Sequence, residues 1–124
     1  MATVLIVDDS ALSRRITRRV LETAGHGVRE AADGLAALEA YALSRPDVVL
    51  LDVTMAGLSG LEVLRQLKAI DPDARVVMAT ADVQASTRVM ADAGGAAGFV
   101  TKPFNAAAIL GAVDAALATQ GGAA

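Results

Sequence analysis

Four short stretches of this chain run from apolar residues into groups able to do chemistry: Asp8-Asp9, Asp52, Thr80 and Lys102. Three carboxylates brought to one place repel one another. They are tolerated where a divalent cation sits among them or a lysine neutralises one. Mg²⁺ fits such a site best, because it takes a few carboxylate oxygens and keeps several waters. Mn²⁺ is the alternative ion. Mg²⁺ also bridges to phosphate oxygens, and a lysine and a hydroxyl nearby could hold the remaining oxygens of a phosphoryl group. Phosphoryl transfer asks mostly for positioning and charge neutralisation, and an aspartate can serve as the nucleophile that forms an aspartyl phosphate. Read alone, Asp52 is better explained as the cap of a loop. The four groups together predict a magnesium-assisted phosphoryl acceptor at Asp52.

The elements that must position these groups are legible around them. Val48-Val49-Leu50-Leu51 is an aperiodic apolar run, as suits a strand buried on both faces of a parallel sheet. An unpaired charge inside such a strand is very costly, so Asp52 is expected at its C-terminal end, in solvent. Val4 to Val7 is a similar run. Val28 to Ala32, carrying Arg29 and Glu30, reads as a strand nearer the sheet edge. Arg75 to Ala79, with Thr80 at its end, and Ala96 to Thr101, ending at Lys102-Pro103, complete five strands.

Helices alternate with them. Leu12, Ile16, Val20 and Ala24 mark the predicted inner stripe of the first, which Gly25 ends as a left-handed cap. Asp33 caps a second, with Leu35, Leu38 and Ala42 inward and Pro46 beyond it. Ser59 and Glu62 form a capping box for a third, with Leu61, Leu64 and Leu67 as its stripe. Asp71-Pro72-Asp73 is a turn. Asp82 caps a fourth, with a thin apolar face of Val83, Val89 and Met90, closed by Gly94-Gly95. Asn105 caps the last, with Ile109, Val113 and Leu117 inward. The alternation predicts an α/β fold with a parallel sheet and helices on both faces. All four reactive groups then fall on one sheet edge, where open α/β sheets bind ligands.

Composition narrows the function classes. The 124 residues suffice for one domain, and 54% hydrophobic content excludes a disordered chain. Aromatics are only 2%, so the core is aliphatic. A net charge of -3 argues against a nucleic-acid partner. Nothing reaches the length of a membrane span and no signal peptide opens the chain, so the cytoplasm is the expected compartment. Cysteine is absent, which removes thiol chemistry. His26, between two glycines with no second histidine, reads as a solvated loop residue. Arg14, Arg15, Arg18 and Arg19 give the first helix a basic face.

Val7-Asp8-Asp9-Ser10, Leu51-Asp52-Val53-Thr54-Met55 through Gly60, Ala79-Thr80-Ala81 and Lys102-Pro103-Phe104 resemble the receiver domain of two-component response regulators. The resemblance spans nearly the whole chain. It implies a flavodoxin-like doubly wound (βα)5 fold, its sheet in the order 2-1-3-4-5, over residues 1–119, with a flexible tail at 120–124. It further implies that Asp52 takes a phosphoryl group from the phosphohistidine of a sensor histidine kinase or histidine phosphotransfer protein. Asp8, Asp9, Asp52 and the Thr54 carbonyl would bind Mg²⁺. Lys102 would pair with the phosphoryl group, Thr80 would move to it, and Phe99 would follow as the switch aromatic. The Lys102-Pro103 bond would be cis. The activity implied is not that of an enzyme: self-catalysed phosphotransfer and slow autodephosphorylation only. A downstream protein would bind the face running from Asp82 through Phe99 to the last helix. The basic first helix would dock the phosphoryl donor.

No output domain follows the last helix, so the chain resembles a single-domain, monomeric regulator of the chemotaxis type, or a fragment of a longer one, with no membrane partner. Ala56 stands where the family usually has proline, which loosens the loop carrying Thr54. Two other Asp-bearing or α/β classes fit less well. A flavodoxin-type protein would want a Ser/Thr/Gly-rich phosphate loop where Asp8-Asp9 stands. A haloacid-dehalogenase-type phosphatase would want a second aspartate at Thr54. The remaining alternative is a phosphorylation-independent interaction module.

Overall fold

In a computed structural model, which describes residues 2–53, 55, 57–80, 93–101 and 105–118, the apolar runs form the strands of one parallel sheet. They are β1 (Thr3–Val7), β2 (Gly27–Ala31), β3 (Val48–Asp52), β4 (Val76–Thr80) and β5 (Gly98–Thr101), in the order β2-β1-β3-β4-β5. Helices α1 (Ala11–Thr23), α2 (Gly34–Ser44), α3 (Gly60–Ile70) and a C-terminal helix (Ala106–Leu117) alternate with them. The predicted helix over Asp82, Val83, Val89 and Met90 lies outside the described residues, as do Ala56 and the tail. β2 is an edge strand, as its charged residues indicate, and β3 and β4 are buried along their whole length.

Strand alternation divides the core into two layers. Leu5, Val7, Val49, Leu51, Val76 and Met78 pack with α2 and α3 residues such as Ala37, Tyr41, Val63, Leu64 and Leu67. Val4, Ile6, Val48, Leu50, Val77 and Ala79 pack on the other side with Leu21 of α1 and Ile109, Val113 and Ala116 of the C-terminal helix. The sheet is thereby covered on both faces, as an all-parallel sheet must be.

Two predicted helix stripes are corrected. In α1, Leu12 and Ile16 are 64% and 55% exposed, Ala24 is exposed too, and the buried residues are Thr17 and Leu21. A spacing of four drifts about 40° per step around a helix of 3.6 residues per turn. A row chosen by apolarity alone therefore slides off the inner face. In α2, Leu35 is 71% exposed and Ala42 is also outside, while Gly34, Ala37 and Tyr41 face inward. α2 is apolar nearly all round, so size and not polarity sets its phase. A Cβ at Gly34 would lie 2.7 Å from Val63 Cγ2 and 3.0 Å from Leu58 Cβ, so a larger residue there would force these side chains to shift.

The caps follow the sequence more closely. Asp33 accepts from Ala36 N–H at 2.8 Å and Asn105 from Ala108 N–H at 2.8 Å. Gly25 takes a φ of 93° just past α1. Ser59 Oγ accepts from Glu62 N–H at 3.3 Å, but the Glu62 carboxylate turns to Arg65 and Gln66, so only half of the capping box forms. His26 is half-buried, and its Nδ1 accepts from the Ala2 N–H at 3.2 Å.

A polar clasp joins α2 to the end of α3. Tyr41 Oη donates to Asp71 Oδ2 at 2.7 Å, and Arg45 Nη1 pairs with the same oxygen at 3.0 Å. The Tyr41 hydrogen bond holds the Asp71 carboxyl below the usual carboxylate range, with the Asp73 N–H and Arg45 adding to it. The folded protein therefore binds this proton less readily than the unfolded chain does. The clasp contributes fully above the ordinary aspartate pKa and is lost as pH falls through the lowered folded value. Tyr41→Phe is expected to destabilise by about 1 kcal/mol at neutral pH, since Asp71 is partly exposed. Urea unfolding at neutral and acid pH checks this: the difference should shrink in acid, and an undiminished one would contradict it.

Candidate functional site

The sheet register aligns the acids. Val7 pairs with Leu51, so Asp8, the next residue, stands level with Asp52. Asp52 is paired in turn with Ala79 on β4. Thr80 and Thr101 pair one step further out. Residues from β1, β3 and β4 thus meet at the C-terminal edge of the sheet.

Carboxylate oxygens of Asp8, Asp9 and Asp52 all lie within 4.8 Å of one another. Asp9 is exposed, whereas Asp8 and Asp52 are 5% and 7% exposed. Asp52 does end its strand, but it is buried rather than solvated. The strand end stops short of solvent, and Asp8 and Thr17 of α1 line the same small cavity as Asp52. A cavity of about 10 Å³, lined by Ile6, Asp8, Thr17, Leu50, Asp52 and Ala79, lies beside the two buried acids. Two buried carboxylates and one exposed one form a hard, anionic oxygen set open on one side. Such a set fits a divalent cation that also keeps outer ligands, as Mg²⁺ does. Asp8, Asp9 and Asp52 would hold the ion. Thr54, predicted to add its carbonyl, lies outside the described residues.

The loop after β1 is held by short-range bonds. Asp8 Oδ1 accepts from Ser10 N–H at 2.9 Å, and Ser10 Oγ accepts from Ser13 N–H at 3.1 Å, capping α1. The Asp8 N–H donates to Ala31 O at 3.2 Å, continuing the β1–β2 ladder one residue past the strand. Thr80 is fully buried at the end of β4. Phe99 is half-buried on β5 and packs against the layer containing Met78, with which it is paired. Lys102 and Pro103, predicted as phosphoryl partner and cis bond, lie outside the described residues.

The four arginines of α1 divide into two pairs. Arg14 Nε binds Glu30 Oε1 at 2.9 Å, and Arg18 Nη1 binds Glu30 Oε2 at 2.5 Å. Arg18 also pairs with Glu22 at 3.2 Å. These bonds, that from Arg18 foremost, hold the Glu30 carboxyl below its ordinary range. Arg15 and Arg19 are exposed and take no part in this network, and they share the surface of α1 with exposed Leu12 and Ile16. Beside Arg19, a groove of about 420 Å³ runs between α1 and the C-terminal helix, lined by Val20, Thr23, Ala24, Ala106 and Leu110.

Gly60 was part of the sequence motif only as its end point, yet it abuts the site directly. A Cβ there would stand 2.2 Å from the Asp52 carbonyl oxygen and 2.6 Å from Val53 Cα. A glycine opening a helix just after an acid-ending strand was the one available signal.

Comparison with known proteins agrees with this geometry. The response regulator receiver domain family matches residues 4–114. The chemotaxis protein CheY of Bacillus subtilis is 38% identical over 115 residues, which cover 92% of this chain and 96% of that one. The response regulator MprA of Mycobacterium sp. (strain KMS) is 43% identical over 101 residues, but these span only 44% of that protein. Among solved structures, the chemotaxis response regulator CheY4 of Vibrio cholerae superposes with a TM-score of 0.88 at 33% identity, covering 94% of this chain and 99% of that one.

Proposed function

The chain belongs to the response regulator receiver domain family, and from that premise we propose that it is a phosphoryl-accepting switch of a two-component system with Asp52 as the acceptor. The observation that carries this reading is the convergence of Asp8, Asp9 and Asp52 within 4.8 Å at the C-terminal sheet edge. A bound Mg²⁺ would neutralise these carboxylates and the incoming phosphoryl oxygens. Asp8 and Asp9 keep the cation beside the acceptor. A carboxylate oxygen of Asp52 forms the new P–O bond as the P–N bond of a phosphohistidine breaks, and the imidazole leaves with the bonding pair. The protein turns over no external substrate. Water later attacks the phosphoryl group and restores the carboxylate.

The new doubly charged group favours the arrangement in which Thr80 and Lys102 reach it, so phosphorylation shifts a two-state equilibrium. Phe99 on β5 follows Thr80, and a downstream protein reads the face that includes β5 and the C-terminal helix. The donor, a sensor histidine kinase or a histidine phosphotransfer protein, docks on α1. Exposed Leu12 and Ile16 support that role, flanked by the exposed cations Arg15 and Arg19. An apolar centre with a charged rim is the usual anatomy of a protein interface.

Intact-protein mass after incubation with acetyl phosphate tests the central reading. One phosphoryl adduct is expected with Mg²⁺ and none with EDTA. A metal-independent adduct would contradict the role given to the acids. Leu12→Asp should leave acetyl phosphate labelling intact while slowing transfer from a phosphorylated histidine phosphotransfer protein at least tenfold. Equal slowing with both donors would move the effect from docking to the acid site.

A further inference from the structure

We infer that Arg14, with Glu30 behind it, is a positioning residue that sets the divalent-cation affinity of the acid site. The inference rests on the reading of Asp8, Asp9 and Asp52 as that site. Arg14 lies in the first turns of α1, and its side chain runs back toward the end of β1, as helix geometry directs. Its Nη1 donates to the backbone oxygen of Asp8 at 2.7 Å, and its Nε donates to Glu30 Oε1 at 2.9 Å. Its side chain is only 17% exposed. The guanidinium is a rigid planar fork, so holding both partners fixes its orientation.

The carbonyl it grips belongs to the peptide unit that joins Asp8 to Asp9. That unit is planar, so a fixed Asp8 oxygen also fixes the Asp9 N–H and the direction in which the Asp9 chain leaves. Asp9 is the exposed member of the acid triad, whereas Asp8 and Asp52 are buried. The Ser10 N–H bond to Asp8 Oδ1 fixes the side-chain end of the same residue, so both its carboxylate and its carbonyl are held.

A bare cation beside a cation site would weaken it. Glu30 removes that cost, because it takes Arg14 on one oxygen and Arg18 on the other, while Glu22 balances Arg18. Two positive and two negative charges cancel, so the field reaching the acids is small and the geometric effect dominates. The edge strand β2 thereby reaches the metal site through Glu30, Arg14 and the Asp8 carbonyl.

Mn²⁺ binding, read from the free-ion signal by electron paramagnetic resonance, tests this without any phosphoryl transfer. Arg14→Ala is expected to raise the Mn²⁺ Kd about tenfold, the low end of what loss of a supporting shell costs a metal site. Arg14→Lys, which keeps the charge but cannot hold both partners in one plane, should recover only part of that. Glu30→Gln leaves the Arg14 charge uncompensated and should also weaken binding. Arg29→Ala removes a charge from the same strand without touching the loop and should leave Kd within twofold. Urea unfolding of each variant separates binding from folding, and should Arg14→Ala not fold, Arg14→Lys carries the test. A Kd within twofold of wild type, or a tighter one, in either Arg14 variant would overturn the inference. Failure of the wild type to bind Mn²⁺ would bring down the metal-site reading itself, and this inference with it.

Discussion

Asp52→Asn is expected to abolish phosphoryl uptake from acetyl phosphate while the sheet stays intact. The amide nearly matches the carboxylate in size, so the buried end of β3 gains no cavity. It offers no anionic oxygen to attack phosphorus, and no neighbouring acid stands in for it. Asp8 has one carboxylate oxygen engaged by the Ser10 N–H, and Asp9 lies at the exposed rim. The same substitution removes one of the three carboxylates proposed to hold the cation. Saturating Mg²⁺, at about a hundred times its Kd, should stabilise the wild-type protein by about 2.7 kcal/mol. The variant should gain much less. Urea unfolding in Mg²⁺ and in EDTA measures both numbers. Equal stabilisation of the two proteins would place the metal elsewhere.

Gly60→Ala is expected to destabilise the fold by about 3 kcal/mol, the upper range for overpacking a core site. Inside a helix, alanine ordinarily gains up to about 1 kcal/mol over glycine. Here that gain is outweighed. The new Cβ would sit 2.2 Å from the Asp52 carbonyl oxygen and 2.6 Å from Val53 Cα, and main-chain atoms cannot rotate aside as a side chain can. Either α3 moves off the sheet or the end of β3 shifts, taking Asp52 with it. The Gly60 N–H bond to Val53 O, at 3.0 Å, is strained in both cases. Acetyl phosphate labelling should therefore slow even where the variant is fully folded. Gly111→Ala is the control. Nothing lies within 4 Å of a Cβ there, so the same change on the C-terminal helix should stabilise. Opposite signs in urea unfolding are the expected result; a change below about 0.5 kcal/mol at Gly60 would contradict the steric argument.

These effects separate what was legible in the sequence from what was not. Strand positions were legible because each buried strand is an uninterrupted aliphatic run closed by a polar residue. Val48 to Asp52 falls as expected, and the edge strand β2 was marked by Arg29 and Glu30. Helix existence was equally clear, through Asp33, Ser59 and Asn105 as caps. Helix phase was not. Thr17 faces the acids from the inner side of α1, and a polar residue there defeats a reading based on apolar spacing. α2 turns Gly34 and Ala37 inward because α3 approaches closely, a tertiary fact with no local signature.

The acid triad was legible because a parallel sheet sends every strand's C-terminal end to one edge. Its supporting frame was not. The α1 arginines read as one basic face, but Arg14 and Arg18 fold back onto Glu30, sixteen and twelve residues away, leaving Arg15 and Arg19 outward. Only the pairing of β2 beside β1 brings Glu30 within their reach. The burial of Asp52 likewise depends on tertiary neighbours, Asp8 and Thr17 of α1, and strand patterning alone does not reveal them.

The most direct test of the account is chemical location of the phosphoryl group. Borohydride reduces an acyl phosphate to an alcohol with loss of phosphate, and leaves free carboxylates untouched. Protein treated with acetyl phosphate and Mg²⁺, then reduced and digested, should show a single altered aspartate in the peptide containing Val48 to Met55, at Asp52. The mark should be absent when EDTA replaces Mg²⁺. Reduction at Asp8 or Asp9, or a phosphorylated protein with Asp52 unaltered, would contradict the assignment of Asp52 as the acceptor.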